Sequence, residues 1–90
     1  MSIKVHINSL LYQYTNNQST AEVNGDTVGQ CLEHLVEQFP SLKKALFNEN
    51  GELLSYIEIY INEESAYPDE LAKPVKLGDE LHILFMVDGG

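Results

Sequence analysis

The chain has 90 residues, 43% of them hydrophobic, which suits one small packed domain and leaves no room for a second. Its 14 Asp and Glu stand against 5 Lys and no Arg, and the resulting net charge of −9 repels phosphate backbones and anionic membranes. That arithmetic excludes nucleic-acid binding and predicts protein partners with basic docking surfaces.

Along the chain, Ile3, Val5 and Ile7 alternate with Lys4, His6 and Asn8, the period-2 pattern of a half-buried strand. Leu10-Leu11-Tyr12 breaks that alternation, and Asn16-Asn17-Gln18-Ser19 reads as a loop. A short strand is expected over 19–23, forming a hairpin with the first and closed by the turn signal Asn24-Gly25-Asp26.

A helix follows. Thr27 is a good N-cap, and Gln30 three residues later completes a capping box. Val28, Cys31, Leu32, Leu35, Val36 and Phe39 then fall on one apolar stripe, while Gln30, Glu33, His34, Glu37 and Gln38 fill the opposite face. Pro40 stops the helix, because the residue before a proline is pushed out of the helical region. A second short helix is predicted over 41–47, with Leu42, Leu46 and Phe47 facing inward.

Residues 56–61 alternate again, placing Ile57, Ile59 and Ile61 on one face and Tyr56, Glu58 and Tyr60 on the other. Residues 65–78 read as irregular, since Pro68 and Pro74 argue against a central strand. The turn Gly78-Asp79 leads into 81–87, LHILFMV, apolar on both faces except for His82, as a strand in mid-sheet should be. The predicted architecture is therefore α+β. One main helix lies across one face of a mixed sheet of four to five strands, a β-grasp arrangement. Residues 1–87 form the domain and 88–90 a flexible tail.

The tail carries a family resemblance. Gly78-Asp79-Glu80, an apolar strand and then Gly89-Gly90 resemble the ThiS/MoaD family of ubiquitin-like sulfur carriers. Gly25-Asp26-Thr27-Val28, Phe39-Pro40 and Tyr60-Ile61-Asn62-Glu63 add to it, so the likeness spans most of the chain. Length and the 40–55 segment are more similar to the MoaD branch, and to a carrier of a cysteine-forming route, than to the shorter ThiS branch. Phe85-Met86, where MoaD members often carry proline, is closer to ThiS. Asp88 stands where the family more often has a small or uncharged residue.

The resemblance implies that a ubiquitin-activating-like enzyme spends ATP to adenylate the Gly90 carboxylate. A sulfur donor then displaces AMP, and the thiocarboxylate serves a synthase or sulfhydrylase in molybdopterin, thiamine or cysteine synthesis. Elementary chemistry agrees, because a carboxylate is a poor electrophile until it becomes a mixed anhydride. Gly89 and Gly90, beyond Asp88, offer no Cβ to block a narrow channel. In this reading the protein is a carrier with no bound cofactor, not an enzyme. The alternatives are a ubiquitin-like modifier joined through Gly90 to lysines of its targets, or a ubiquitin-like domain that binds without covalent chemistry.

A carrier must also be held. If Leu81, Ile83 and Phe85 face the helix, then His82, Leu84 and Met86 face away and join Tyr60 in an open docking surface beside the tail. The competing expectation is that the 65–77 segment, or a crystal or homodimer contact, covers Leu84 and Met86. Cys31, within the helix stripe, reads as a small buried hydrophobe, and His34 as a solvated residue of the polar face. His6 and His82 are expected side by side on the open face. Two histidines need further ligands to hold a metal, and the spacing suggests none, so no metal site is expected. A lone cysteine, an N-terminal decapeptide unlike a signal peptide and the lack of a long apolar run predict a cytoplasmic protein.

Overall fold

The computed structural model describes residues 2–86. Its strands are β1 (Ile3–His6), β2 (Thr20–Val23), β3 (Ile57–Ile61), β4 (Glu64–Ser65) and β5 (Glu80–Phe85), with helices α1 (Val28–Gln38) and α2 (Leu42–Leu46). The five strands make one sheet in the order β2-β1-β5-β3-β4, so the last strand in sequence is the middle one in space. β1 and β5 run parallel, and the remaining neighbours are antiparallel. This is the β-grasp architecture that the order of elements predicts.

The register explains the inside and the outside. Ile59 pairs with Ile83, and Ile61 with Leu81, while Val5 pairs with Leu81 from the other side. Alternate residues of each strand point to one face, so these apolar rows reinforce each other across the sheet. α1 closes that face with Val28, Cys31, Leu32 and Leu35, all fully buried. Each such leucine or isoleucine contributes about 1.5–3 kcal/mol of burial, which makes this row the chief source of stability.

The start of α1 is capped with a small shift from expectation. Thr27 Oγ1 accepts the Gln30 N–H at 3.2 Å, as a cap should. Gln30 Oε1, however, accepts the N–H of Asp26 at 2.7 Å, one residue before the cap. Phe39 ends the helix ahead of Pro40, with its N–H donating to the Leu35 carbonyl at 2.9 Å. α2 buries Leu42 and Leu46 completely and leaves Phe47 half-buried.

Three segments differ from the sequence reading. The hairpin of β1 and β2 turns through residues 7–19, whereas Asn24-Gly25-Asp26 carries the chain onward from β2 to α1. Within that turn, Ser9–Tyr14 winds as a 3-10 helix that buries Leu11, and the buried Thr15 hydroxyl donates to the carbonyl of Gln18 at 2.9 Å. The third difference is β4, which adds an edge strand of only two residues beside β3, with Tyr60 opposite Ser65.

Residues 66–77 remain largely irregular, with one short 3-10 turn at Glu70–Ala72. They pack against the start of α1: the Val28 N–H donates to the Lys73 carbonyl and the Val75 N–H to the Asp26 carbonyl. A Cβ on Gly29 would stand 2.9 Å from the Leu71 carbonyl oxygen, so the helix is glycine where this segment crosses it. The segment thus lies on the helix side and does not cover Leu84 and Met86, against the expectation that it would. Among the described residues no helix is long and apolar enough to cross a membrane.

Candidate functional site

The face of the sheet opposite α1 is where the candidate residues meet. Along β5, Leu81 and Ile83 point into the core, and His82 and Leu84 point outward, the parity that the sequence predicts. Tyr60 of β3 is the direct register partner of His82, and His6 of β1 flanks His82 on the other side. Leu84 is 37% and Met86 45% exposed, an unusual state for large apolar residues at the end of a central strand. The Met86 N–H still donates to the Tyr56 carbonyl at 2.8 Å, which fixes the chain's direction as it leaves the sheet. Of the residues expected to dock a partner, Tyr60, His82 and Leu84 share this face, Tyr60 and His82 only half exposed, and the exposed Met86 follows just beyond the strand. Asp88, Gly89 and Gly90 lie outside the described residues.

A polar cluster occupies the same face. The rings of His6 and His82 stack with centroids 4.3 Å apart and planes 4° from parallel. His6 Nε2 donates to Glu80 Oε1 at 2.6 Å. That hydrogen bond is the main reason the Glu80 carboxyl is held below its ordinary pKa, with the charges of His6, Lys4 and His82 acting in the same direction. Burial pushes the His82 imidazole pKa down, the nearby His6 charge lowers it further, and Glu80 partly opposes both. His82 is thus kept neutral over more of the pH range than a free histidine.

The sequence reading paired His6 with His82 but overlooked Glu80. The signal was present: Glu80 and His82 are two residues apart on one strand, so they must share a face. His34 is also more engaged than expected. Its Nδ1 accepts the Asn24 N–H at 2.8 Å and ties α1 to the end of β2. Cys31 is buried, as its place in the stripe implies, and burial raises its thiol pKa, with the Asp26 charge adding to the effect. Such a thiol is a packing group and a poor nucleophile.

The beginning of β5 is pinned by a second polar arrangement. Asn62, just beyond β3, adopts a positive φ of 57°; its Oδ1 accepts the Glu80 N–H at 3.0 Å and its Nδ2 donates to Asp79 Oδ1 at 3.1 Å. Asp79 Oδ2 accepts the Lys76 N–H at 2.9 Å, so the turn that launches the central strand is held from both sides.

Comparisons with known proteins agree with this geometry. The model of the ThiS family matches residues 5–90. Sulfur carrier protein CysO of Mycobacterium tuberculosis is 29% identical over 93 residues, covering all of both chains. Small archaeal modifier protein 1 of Haloferax volcanii is 39% identical over 70 residues, 77% of each chain. Among solved structures, the BexX/CysO complex of Amycolatopsis orientalis contains a chain that superposes with a TM-score of 0.87 at 30% identity, covering 98% of this chain and 99% of that one. A fold this alike, with a family match running from β1 to Gly90, places the chain in the ThiS family of ubiquitin-like β-grasp proteins.

Proposed function

We propose that the protein is a sulfur carrier that works through the carboxylate of Gly90. The observation that carries this reading is the family match, which extends through Gly89 and Gly90. It is joined by the full-length likeness to a sulfur carrier protein. In the proposed cycle the Gly90 carboxylate attacks the α-phosphate of ATP within an adenylating partner and pyrophosphate leaves. A hydrosulfide equivalent then attacks the acyl carbon and expels AMP, so the terminus exchanges one oxygen for sulfur with no change of oxidation state. The thiocarboxylate is delivered to a second enzyme, and the regenerated carboxylate returns. The protein is a cosubstrate in this cycle, and the chemistry of activation belongs to its partners.

The open sheet face serves that role as a docking surface. Leu84 at the end of β5 and Met86 just beyond it are exposed, so an enzyme gripping them also receives the terminus. The net charge of −9 favours partners that are basic around their docking site and speeds the encounter with them. The BexX/CysO complex is a precedent, in a relative, for a carrier seated on a second protein.

A second reading follows from the likeness to a small archaeal modifier protein: the same acyl-adenylate transferred to a lysine of a target protein. The two share the activation step and differ in the acceptor. Incubation with an adenylating enzyme of this family and ATP, with sulfide and a cell extract that supplies target lysines both present, separates them. A carrier gives a sulfur-bearing terminus without protein conjugates, a modifier gives lysine conjugates, and an unmodified terminus with no ATP consumed rules out both.

A further inference from the structure

We propose that His6, Glu80 and His82 form a binding site for a divalent late first-row metal ion of the zinc class. The three residues stand on two adjacent strands of the central sheet. Glu80 and His82 share a face of β5 because strand side chains alternate, and the parallel register sets His6 of β1 directly beside His82. The placement is thus fixed by backbone pairing in the most constrained part of the fold.

The distances suit a metal. The potential ligand atoms of all three lie within 4.8 Å of one another, and His6 Nε2 and Glu80 Oε1 are already 2.6 Å apart. Metal–nitrogen and metal–oxygen bonds of about 2.0–2.2 Å require ligand atoms roughly 3–4 Å from each other. The stacked rings would turn about their side-chain torsions to aim a nitrogen of each at one ion beside Glu80. Both histidines are only half buried and Glu80 is exposed, so the side chains can move, at the cost of separating the stacked rings.

The donor types choose the ion. Two neutral imidazole nitrogens and one carboxylate favour Zn2+ and its neighbours over Mg2+ or Ca2+, which prefer sets of oxygen ligands. Three protein ligands on an open face leave at least one position for water or for a side chain of another molecule. No other carboxylate among the described residues makes an ion pair with a histidine. The site draws on nothing in the tail, so it stands whether or not Gly90 is ever activated.

The test is titration of the untagged chain with Zn2+ by calorimetry, with Mg2+ in excess to occupy dispersed surface carboxylates. One ion per chain is expected. His6→Ala and His82→Ala should each weaken binding at least about tenfold, Glu80→Gln should weaken it less, and His34→Ala should leave it unchanged. Imidazole nitrogen NMR on the unaltered chain gives a readout free of folding effects: zinc should shift the His6 and His82 signals and spare His34. Absence of saturable binding overturns the proposal. So does full-strength binding in the His6→Ala/His82→Ala double variant, or zinc that leaves the His6 and His82 signals where they were.

Discussion

Asn62 and Asp79 are joined side chain to side chain at 3.1 Å across 17 positions of sequence, and their contact fixes where the central strand begins. In the sequence they belong to two separate marks, one leaving β3 and one preceding β5. In the fold they are halves of one clamp. The Asn62 N–H donates to the Glu80 carbonyl at 2.7 Å while the Asn62 side chain takes the Glu80 N–H, so a single residue brackets the first residue of β5. The register of β5 decides that His82 and Leu84 face outward, since a slip by one residue would exchange the two faces.

Removing the Asn62 side chain should therefore be costly for an exposed residue. Asn62→Ala loses both side-chain hydrogen bonds and also forces alanine into a left-handed backbone, for a combined cost of about 2–3 kcal/mol. Asn62→Gly loses the same bonds without the backbone penalty and should cost about 1 kcal/mol less than the alanine change. Urea unfolding of the two variants checks the order.

Asp79 makes stability depend on acid. The Lys76 backbone N–H, and after it the Asn62 amide, hold its carboxyl below the ordinary aspartate range. A lowered folded pKa means that the unfolded chain takes up the proton first. The contribution is present above the unfolded value of about 3.9 and is lost as pH falls through the folded one. Acid unfolding curves should show this loss in the native chain and a shallower one in Asp79→Asn, with less difference between the two at low pH than at neutrality.

Gly29 supplies a test of packing against propensity. Inside a helix alanine is ordinarily better than glycine by up to about 1 kcal/mol, and at Gly29, in the first turn of α1, it could gain part of that. Here its Cβ would meet the Leu71 carbonyl oxygen at 2.9 Å, and the 66–77 segment would have to shift. Gly29→Ala should destabilise by about 1–2 kcal/mol. Adding Leu71→Ala should not restore it, because the nearest obstacle is backbone.

Much of this was legible in the sequence, and particular residues show why. Ile57, Ile59 and Ile61 announced both a strand and its buried face, because a period of two has one structural meaning. Thr27, the apolar stripe and Pro40 bounded α1 by independent physical signals. β4 was not readable, since two residues carry no period, and it exists only because Asn62 turns the chain back beside β3. The 3-10 helix over 9–14 was hidden because its stability comes from tertiary burial of Leu11 and from a fully enclosed Thr15. Spacing along β5 puts Glu80 on the face of His82, but that His6 reaches it depends on the parallel pairing of β1 with β5, which no local pattern in the sequence encodes.

The two faces of the sheet should respond in opposite ways to truncation. Ile59→Ala empties a fully buried position and should cost about 2–5 kcal/mol of stability. Leu84→Ala and Met86→Ala, at exposed positions, should change stability by only about 0.5 kcal/mol. If the open face is the docking surface, the two exposed changes should slow modification of the terminus by the adenylating enzyme while leaving the unfolding midpoint nearly untouched.

The most direct test of the carrier function is the intact mass of the chain isolated from its native cells while its activating enzyme is active. The account predicts a fraction whose mass has risen by one oxygen-to-sulfur exchange, with fragment ions placing the change at Gly90 and its disappearance when Gly90 is deleted. A terminus that stays a plain carboxylate under those conditions, with no sulfur on any fragment containing Gly90, would contradict it.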